Sequence, residues 1–338
     1  MAEMRCIPGR KGRTLDRRYC FDRIWRPAPS RLYSGAVANY QAIVRRKPEV
    51  RDFIRNRRWV YRGEAVVYGP NTRCAAFSTD GQGFRHSTFQ GETLSVNDCL
   101  KRERYGLVLG SSHLYGFGLD GNENTIPSLL AEQLRFPFGN VCMPEASSRN
   151  LYSLLAACVA RAPHPPSIVI HMSGGDFTSF CFTKIADPMF GSPNLKQMQT
   201  VLKEHGGRAN AVAQFPQLLA FTSLWTRSIA ALCKARGAAL ALASDTTFFE
   251  KREPSAYDVE CGLGAPSSPV QKEQFAVHKR YFPQFCANRS RLAQALGLGL
   301  VGPGTSNNLG FVDEFHYDRD ASKVLATELG KAVTQLLN

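Results

Sequence analysis

Tyr105-Gly106-Leu107-Val108-Leu109-Gly110-Ser111-Ser112-His113 is the stretch on which the reading of this chain turns. Gly106–Leu109 is a short apolar run that stops at a glycine, the pattern of a strand buried on both faces. A serine just beyond it, on a sharp turn from strand into helix, stands beside backbone N–H groups free to stabilise an oxyanion. Taken alone, serine after glycine at a strand end is usually turn or helix-cap chemistry. The rest of the chain has to decide between the two.

Strands and helices alternate downstream. Thr125 is placed to cap a helix with Pro127 in its first turn, and Leu129, Leu130 and Leu134 recur at helical spacing. Residues 141–143 read as a second strand, 150–161 as a helix that Pro163 and Pro165-Pro166 end, and 167–172 as a third strand running into Ser173-Gly174-Gly175. Helical periodicity over 211–236 stops at Gly237, and 238–243 read as a fourth strand. A helix over 271–296, interrupted at Pro283, leads to a fifth strand at 297–301. The closing helix, 320–336, places Val324, Leu325, Leu329 and Val333 on one face. Repeated β-α units predict an α/β fold, a five-stranded parallel sheet with helices on both sides, whose chemistry sits at the carboxyl ends of the strands.

Phe311-Val312-Asp313-Glu314-Phe315-His316 lies just before that last helix. An Asp three residues ahead of a His can hold one imidazole nitrogen while the other faces a serine as general base. Alone, such a pair is also a cap or a surface contact. In the order Ser112…Asp313…His316 across a five-strand pattern, the two stretches point to nucleophilic catalysis.

Composition bounds the alternatives. The chain has 338 residues, 43% hydrophobic and 21% charged, which suits a globular protein with a sizeable core. No apolar run approaches the roughly 18 residues of a membrane span, and the opening MAEMRCIPGRKGR lacks the apolar stretch of a secretory signal, so a cytoplasmic protein is expected. The ten cysteines are scattered with no CxxC pair, which predicts reduced, mostly buried thiols. No HExxH, clustered Cys/His set or acidic calcium loop is present, so no metal and no cofactor is expected. The net charge of +14 is concentrated in residues 1–63, where 17 Lys/Arg stand against 5 Asp/Glu for a net of +12. Such an arm can attract nucleic acid, anionic lipid, an acidic carrier protein or an anionic polysaccharide, or be a solvated surface. Its aromatics come without a nucleic-acid-binding signature, so nucleic acid is not expected. Short β-like runs at 59–61, 65–68 and 74–77 suggest a small basic β-rich extension over 1–103, ahead of a catalytic domain over 104–338.

Leu107-Val108-Leu109-Gly110-Ser111-Ser112, continued by Tyr115-Gly116-Phe117-Gly118, resembles the first signature of the SGNH (GDSL-type) hydrolases, usually Gly-Asp-Ser. Thr125-Ile126-Pro127-Ser128-Leu129-Leu130 resembles the helix that follows. Asn140-Val141-Cys142-Met143-Pro144-Glu145-Ala146-Ser147-Ser148 occupies the second signature, residues 168–176 the third, and Asp313-Glu314-Phe315-His316 matches the last. Phe77-Ser78-Thr79 with Gly83-Phe84-Arg85 resembles the lead-in of many bacterial members. The resemblance covers roughly residues 75–337, and the absence of Gly-x-Ser-x-Gly argues against the α/β-hydrolase fold. It implies a flavodoxin-like three-layer α/β/α fold, Ser112 as nucleophile, His316 as base and Asp313 as its partner.

The chain departs from the family pattern at three places. The first aspartate is Ser111; the second-signature glycine is Glu145, whose carboxylate would repel an oxyanion unless turned away or protonated; and the oxyanion asparagine is Gly175. The N–H groups of Ser112 and Gly175, in the Ser173-Gly174-Gly175-Asp176 turn, are then the expected oxyanion donors. Asp176 is read as capping that turn or binding a substrate hydroxyl, His113 as a packing neighbour or substrate contact, Arg149 as a partner of Glu145 or of an anionic substrate, and His171 as a satisfied core histidine. The long segment 177–209 is expected to form a lid. The resemblance implies a serine esterase or O-acyltransferase acting through an acyl-serine intermediate. Its alternatives are a specialised enzyme using a carrier- or coenzyme A-linked acyl donor, and a module that only binds a glycan or acyl group.

Overall fold

The computed structural model describes residues 50–51, 59–62, 65–144, 146–183, 207–244, 246–251, 253–254, 256–260, 263, 269–301, 309–313 and 315–338. Two hairpins come first, β1 (Trp59–Arg62) with β2 (Ala65–Tyr68) and β3 (Ser87–Phe89) with β4 (Glu92–Leu94). The second turns through Gln90 and Gly91, both at positive φ, as a two-residue turn matched to strand twist requires. The run at 74–77 is a tight turn, the Cys74 N–H donating to the Phe77 carbonyl, rather than a strand. Helix α1 (Val96–Leu100), which the sequence pattern did not suggest, is held by a capping box between Ser95 and Asp98.

A five-stranded parallel sheet follows: β5 (Gly106–Leu109), β6 (Phe138–Asn140), β7 (Ile168–Met172), β8 (Ala239–Ala243) and β9 (Leu300–Val301). The spatial order β6-β5-β7-β8-β9 is the flavodoxin-like 2-1-3-4-5 order. The chain reverses its direction of winding between β5 and β7, the switch point at whose carboxyl ends sheets of this order place their sites. The expected α/β fold is the observed one.

Side-chain alternation along these strands builds two cores. Val108, Ile168, Ile170, Met172 and Ala241 point to one face, where α3 (Ile126–Leu134) and α9 (Arg319–Leu337) bring Ile126, Leu130, Leu325, Leu329 and Val333. Leu107, Leu109, Val169, Leu240 and Leu242 point to the other, covered by α4 (Ser148–Arg161), α6 (Gly207–Ala235) and the end of α8 (Pro269–Ala295). Val324 does not join the α9 stripe: it is 46% exposed, because it falls beside the apolar arc rather than on it. The described residues also include the short helices α2 (Ser112–Tyr115), α5 (Gly174–Thr183) and α7 (Ala256–Glu260).

Several boundaries differ from expectation, among them the fifth strand, which is Leu300–Val301 rather than 297–301. The second strand is residues 138–140 rather than 141–143, although Val141 and Met143 continue beside β5 by donating to the carbonyls of Val108 and Gly110. Pro283 does not interrupt α8, since the buried Tyr281, Phe282 and Phe285 pack the helix on either side of it. Of the expected lid, residues 177–183 are the body of α5, 207–209 open α6, and 184–206 lie outside the described residues. Residues 68–100 share the core of the sheet: Tyr68 and Phe77 pack in the α3 face, Ser87 Oγ donates to the Phe138 carbonyl and Thr88 N–H to Ser128 Oγ. Among the described residues no helix is long and apolar enough to cross a membrane.

Candidate active site

Strand β5 ends at Leu109, and the chain folds at once into α2, with Ser111 as its extended N-cap residue and Ser112 as its first helical residue. A Cβ at Gly110 would lie 2.7 Å from the Leu114 side chain, so the turn needs glycine there. Ser112 is half-buried, and its N–H, in the first turn of a helix, has no intrahelical acceptor.

The loop before α9 brings the other partners. Phe311 and Tyr317 close it as an antiparallel bridge, and Asp318 caps α9 through the Ala321 N–H. Inside the loop Asp313 Oδ1 accepts from the backbone N–H groups of Phe315 and His316 at 2.9 and 2.8 Å. Asp313 Oδ2 lies 2.6 Å from His316 Nδ1, and His316 Nε2 lies 2.8 Å from Ser112 Oγ. Burial pushes the Asp313 carboxyl up, but the His316 imidazole and these hydrogen bonds outweigh it and hold it below the usual carboxylate range. A carboxylate that stays ionised fixes Nδ1 as the protonated nitrogen and leaves Nε2 to accept from the serine.

His113 is buried behind this pair. Its Nδ1 bonds Ser111 Oγ at 2.7 Å, and its ring lies 5.4 Å from that of His316 and 6.2 Å from that of Phe315. Burial, then the neighbouring His316, push its pKa down to about 3, so it is a neutral imidazole at working pH. His171 is buried in β7 as expected, but neither ring nitrogen has a hydrogen bond among the described residues. Burial holds it well below its ordinary pKa, and it remains neutral.

Ser173, Gly174, Gly175 and Asp176 carry the chain from β7 into α5. Gly175 is wedged against the neighbouring turn, where a Cβ would lie 2.1 Å from the Ala146 carbonyl oxygen and 3.3 Å from Ser111 Cβ. A side chain there, asparagine included, requires the main chain at Ala146 to shift. Asp176 ties α5 to α4, accepting from Ser148 N–H at 3.0 Å, Ser148 Oγ at 2.5 Å and Thr222 Oγ1 at 3.3 Å. Arg149 is half-buried in the first turn of α4, and Glu145 lies outside the described residues. Among the described residues no group of three or more His, Cys, Asp or Glu is arranged to hold a metal ion.

No protein-family model and no curated protein matches the chain. Among solved structures it is similar to a carbohydrate acetylesterase family member from Sinorhizobium meliloti, at 14% identity over 69% of this chain and 99% of that one, with a TM-score of 0.43. An inhibitor-bound aryl esterase from M. smegmatis gives 13%, 69%, 99% and 0.43, and a psychrotrophic esterase from a Pseudoalteromonas species gives 18%, 69%, 98% and 0.39.

Asp176 sets a pH dependence of its own. Burial pushes its carboxyl up, against the hydrogen bonds that lower it, from 3.8 to about 6. The unfolded chain therefore loses this proton at lower pH than the native one, and stability falls as pH rises from 3.8 to 6, then levels. Asp176→Asn, which keeps the acceptor facing Ser148 N–H, is expected to flatten that part of the curve. Urea midpoints at pH 4 and pH 6 for both proteins check it, and an unchanged slope in the variant removes Asp176 as the cause.

Two residues to which the sequence reading gave no role bear on this site. Phe117 lies with its ring stacked on that of His316, 4.3 Å between centroids, and Arg85 is fully buried beneath the loop that carries it. Their only sequence signal was the bare presence of both in the family-like stretches.

Proposed function

We propose that this chain is an SGNH-type serine hydrolase that cleaves or transfers an acyl ester through an acyl-Ser112 intermediate. The reading rests on the 2.8 Å contact from Ser112 Oγ to His316 Nε2, continued by the 2.6 Å contact to Asp313. As Ser112 Oγ attacks the ester carbonyl, its proton passes to His316 Nε2. The tetrahedral adduct collapses, the C–O bond breaks and the leaving alcohol takes that proton. Water, or an acceptor hydroxyl, then gives its proton to His316 and attacks the acyl carbon; the bond from that carbon to Ser112 Oγ breaks, and Oγ takes the proton back from His316 Nε2. The carboxylate of Asp313 stabilises the imidazolium in both halves.

The oxyanion is left to main-chain donors, the N–H groups of Ser112 and Gly175. Losing one side-chain donor costs about a hundred- to a thousand-fold in rate. The closed position of Gly175 therefore favours slow turnover of generic chromogenic esters, and a dedicated acyl donor whose remote binding contacts make up the difference.

Labelling with a fluorophosphonate tests the nucleophile directly. Wild type is expected to label, and Ser112→Ala to lose labelling entirely while keeping its thermal transition. Labelling that survives in Ser112→Ala places the reactive group elsewhere and ends this reading.

A further inference from the structure

We infer that Arg85 is a positioning residue for the catalytic histidine, acting through the loop 116–122 and the ring of Phe117; the inference rests on the serine-hydrolase reading. Arg85 lies between the hairpin segments and is fully buried. Its guanidinium is held almost wholly by main-chain oxygens. Nη1 donates to the Gly116 carbonyl at 2.5 Å, and Nη2 to the carbonyls of Ala76, Leu119 and Gly121 at 3.2, 3.0 and 2.7 Å. Nε donates to Asn122 Oδ1 at 3.2 Å, and Asn122 in turn accepts from the Ser78 N–H. The rings of Phe77 and Tyr115 flank the cation at 5.8 and 6.0 Å. Burial pushes its pKa down only to about 10, so the group is charged at neutral pH.

Three of those carbonyl acceptors belong to the loop that follows the nucleophile helix. Gly116 ends α2 at φ 85°, and Gly118 follows at φ 78°. Two left-handed residues in three make a loop that its own backbone preferences would not fix in one shape. A rigid planar fork binding Gly116, Leu119 and Gly121 together does fix it. The residue between the two glycines is Phe117, whose ring stacks on His316 with 29° between planes. A Cβ at Gly118 would lie 3.4 Å from the Val312 side chain, one residue before Asp313. The loop thus meets the Asp313–His316 segment through the Phe117 ring and passes beside Val312 at Gly118, and Arg85 binds three of its carbonyls.

A purely structural arginine predicts lost stability alone. A positioning role predicts that the surviving folded protein transfers its serine proton badly. The fluorophosphonate reaction separates the two as a saturation constant KI and a maximal rate kinact, measured on folded protein. Phe117→Leu keeps an apolar cover and leaves the Arg85 contacts untouched, so it tests the last link alone. Arg85→Lys keeps the charge and loses the fork.

In both variants kinact is expected to fall about 10- to 100-fold, as for a misplacement of roughly an ångström, with KI within about threefold. The wild type should also show a downfield proton resonance from the short His316–Asp313 hydrogen bond, weakened by exchange in both. If wild type labels and Phe117→Leu keeps the wild-type kinact, the proposal falls while the serine-hydrolase reading stands, even if Arg85→Lys does not fold. A wild type that does not label overturns that reading, and this inference with it.

Discussion

His316→Ala is expected to abolish acyl transfer to Ser112, lowering kcat by roughly six orders of magnitude, as removal of the base does in serine proteases built on the same triad. The size follows from the geometry. Among the described residues the side-chain partner for the Ser112 Oγ proton is His316 Nε2 at 2.8 Å, and a hydroxyl without a base is a poor nucleophile at neutral pH. Asp313→Asn should cost less, about four orders of magnitude. The amide can still accept the N–H groups of Phe315 and His316, so the loop holds its shape, but its NH2 end faces His316 Nδ1 and favours the tautomer with the proton on Nε2. Steady-state turnover of a short acyl ester, with circular dichroism to confirm folding, checks both. An Asp313→Asn variant as dead as His316→Ala would mean that the carboxylate does more than orient and stabilise the imidazole. Near-wild-type turnover in either variant would show that the serine is activated by some other group.

What the sequence made legible was whatever depends on local pattern. β5 is an uninterrupted apolar run and β7 is one broken only by the buried His171, each closed by small residues, because both faces of a central parallel strand are covered. The Asp313–His316 pair was legible because three residues of chain bring carboxylate and imidazole together. Its contact with Ser112 spans 204 positions and came only from the order of elements in the sheet. The second strand was misplaced because residues 141–143 are the more apolar run. The regular ladder in fact stops at Asn140, whose Oδ1 takes the Cys142 N–H. Pro283 looked like a helix break because the expectation weighed its missing N–H and ignored the aromatic packing of Phe282 and Phe285 on Phe177. Arg85 was least legible of all. Its guanidinium donates to the main-chain carbonyls of Gly116, Ala76, Leu119 and Gly121, and a carbonyl has no letter in the sequence.

Putting a side chain back at position 175 is expected to damage the protein rather than improve it. By resemblance this is where an oxyanion asparagine belongs, and Gly175→Asn would seem to restore a lost donor. The structure argues the opposite. A Cβ there meets the Ala146 carbonyl oxygen at 2.1 Å, a main-chain atom that cannot swing aside. Ala146 is tied by its N–H to the Met143 carbonyl and is followed by Ser147, which caps α4 through the Asn150 N–H. Relieving the clash therefore means moving the start of α4, or moving α5 and with it the Asp176 contacts to Ser148. Gly175→Ala is the minimal version and should cost about 3 kcal/mol, the upper part of the range for overpacking a rigid site. The same Cβ lies 3.3 Å from that of Ser111, so the strain reaches the residue before Ser112, and labelling should slow by about 100-fold. Urea unfolding and fluorophosphonate labelling of Gly175→Ala and Gly175→Asn measure the two effects. If Gly175→Asn were as stable as wild type and labelled faster, the space at 175 would be real and the absent asparagine merely a substitution. If both variants are unstable and slow, the glycine is required by the way α4 and α5 meet.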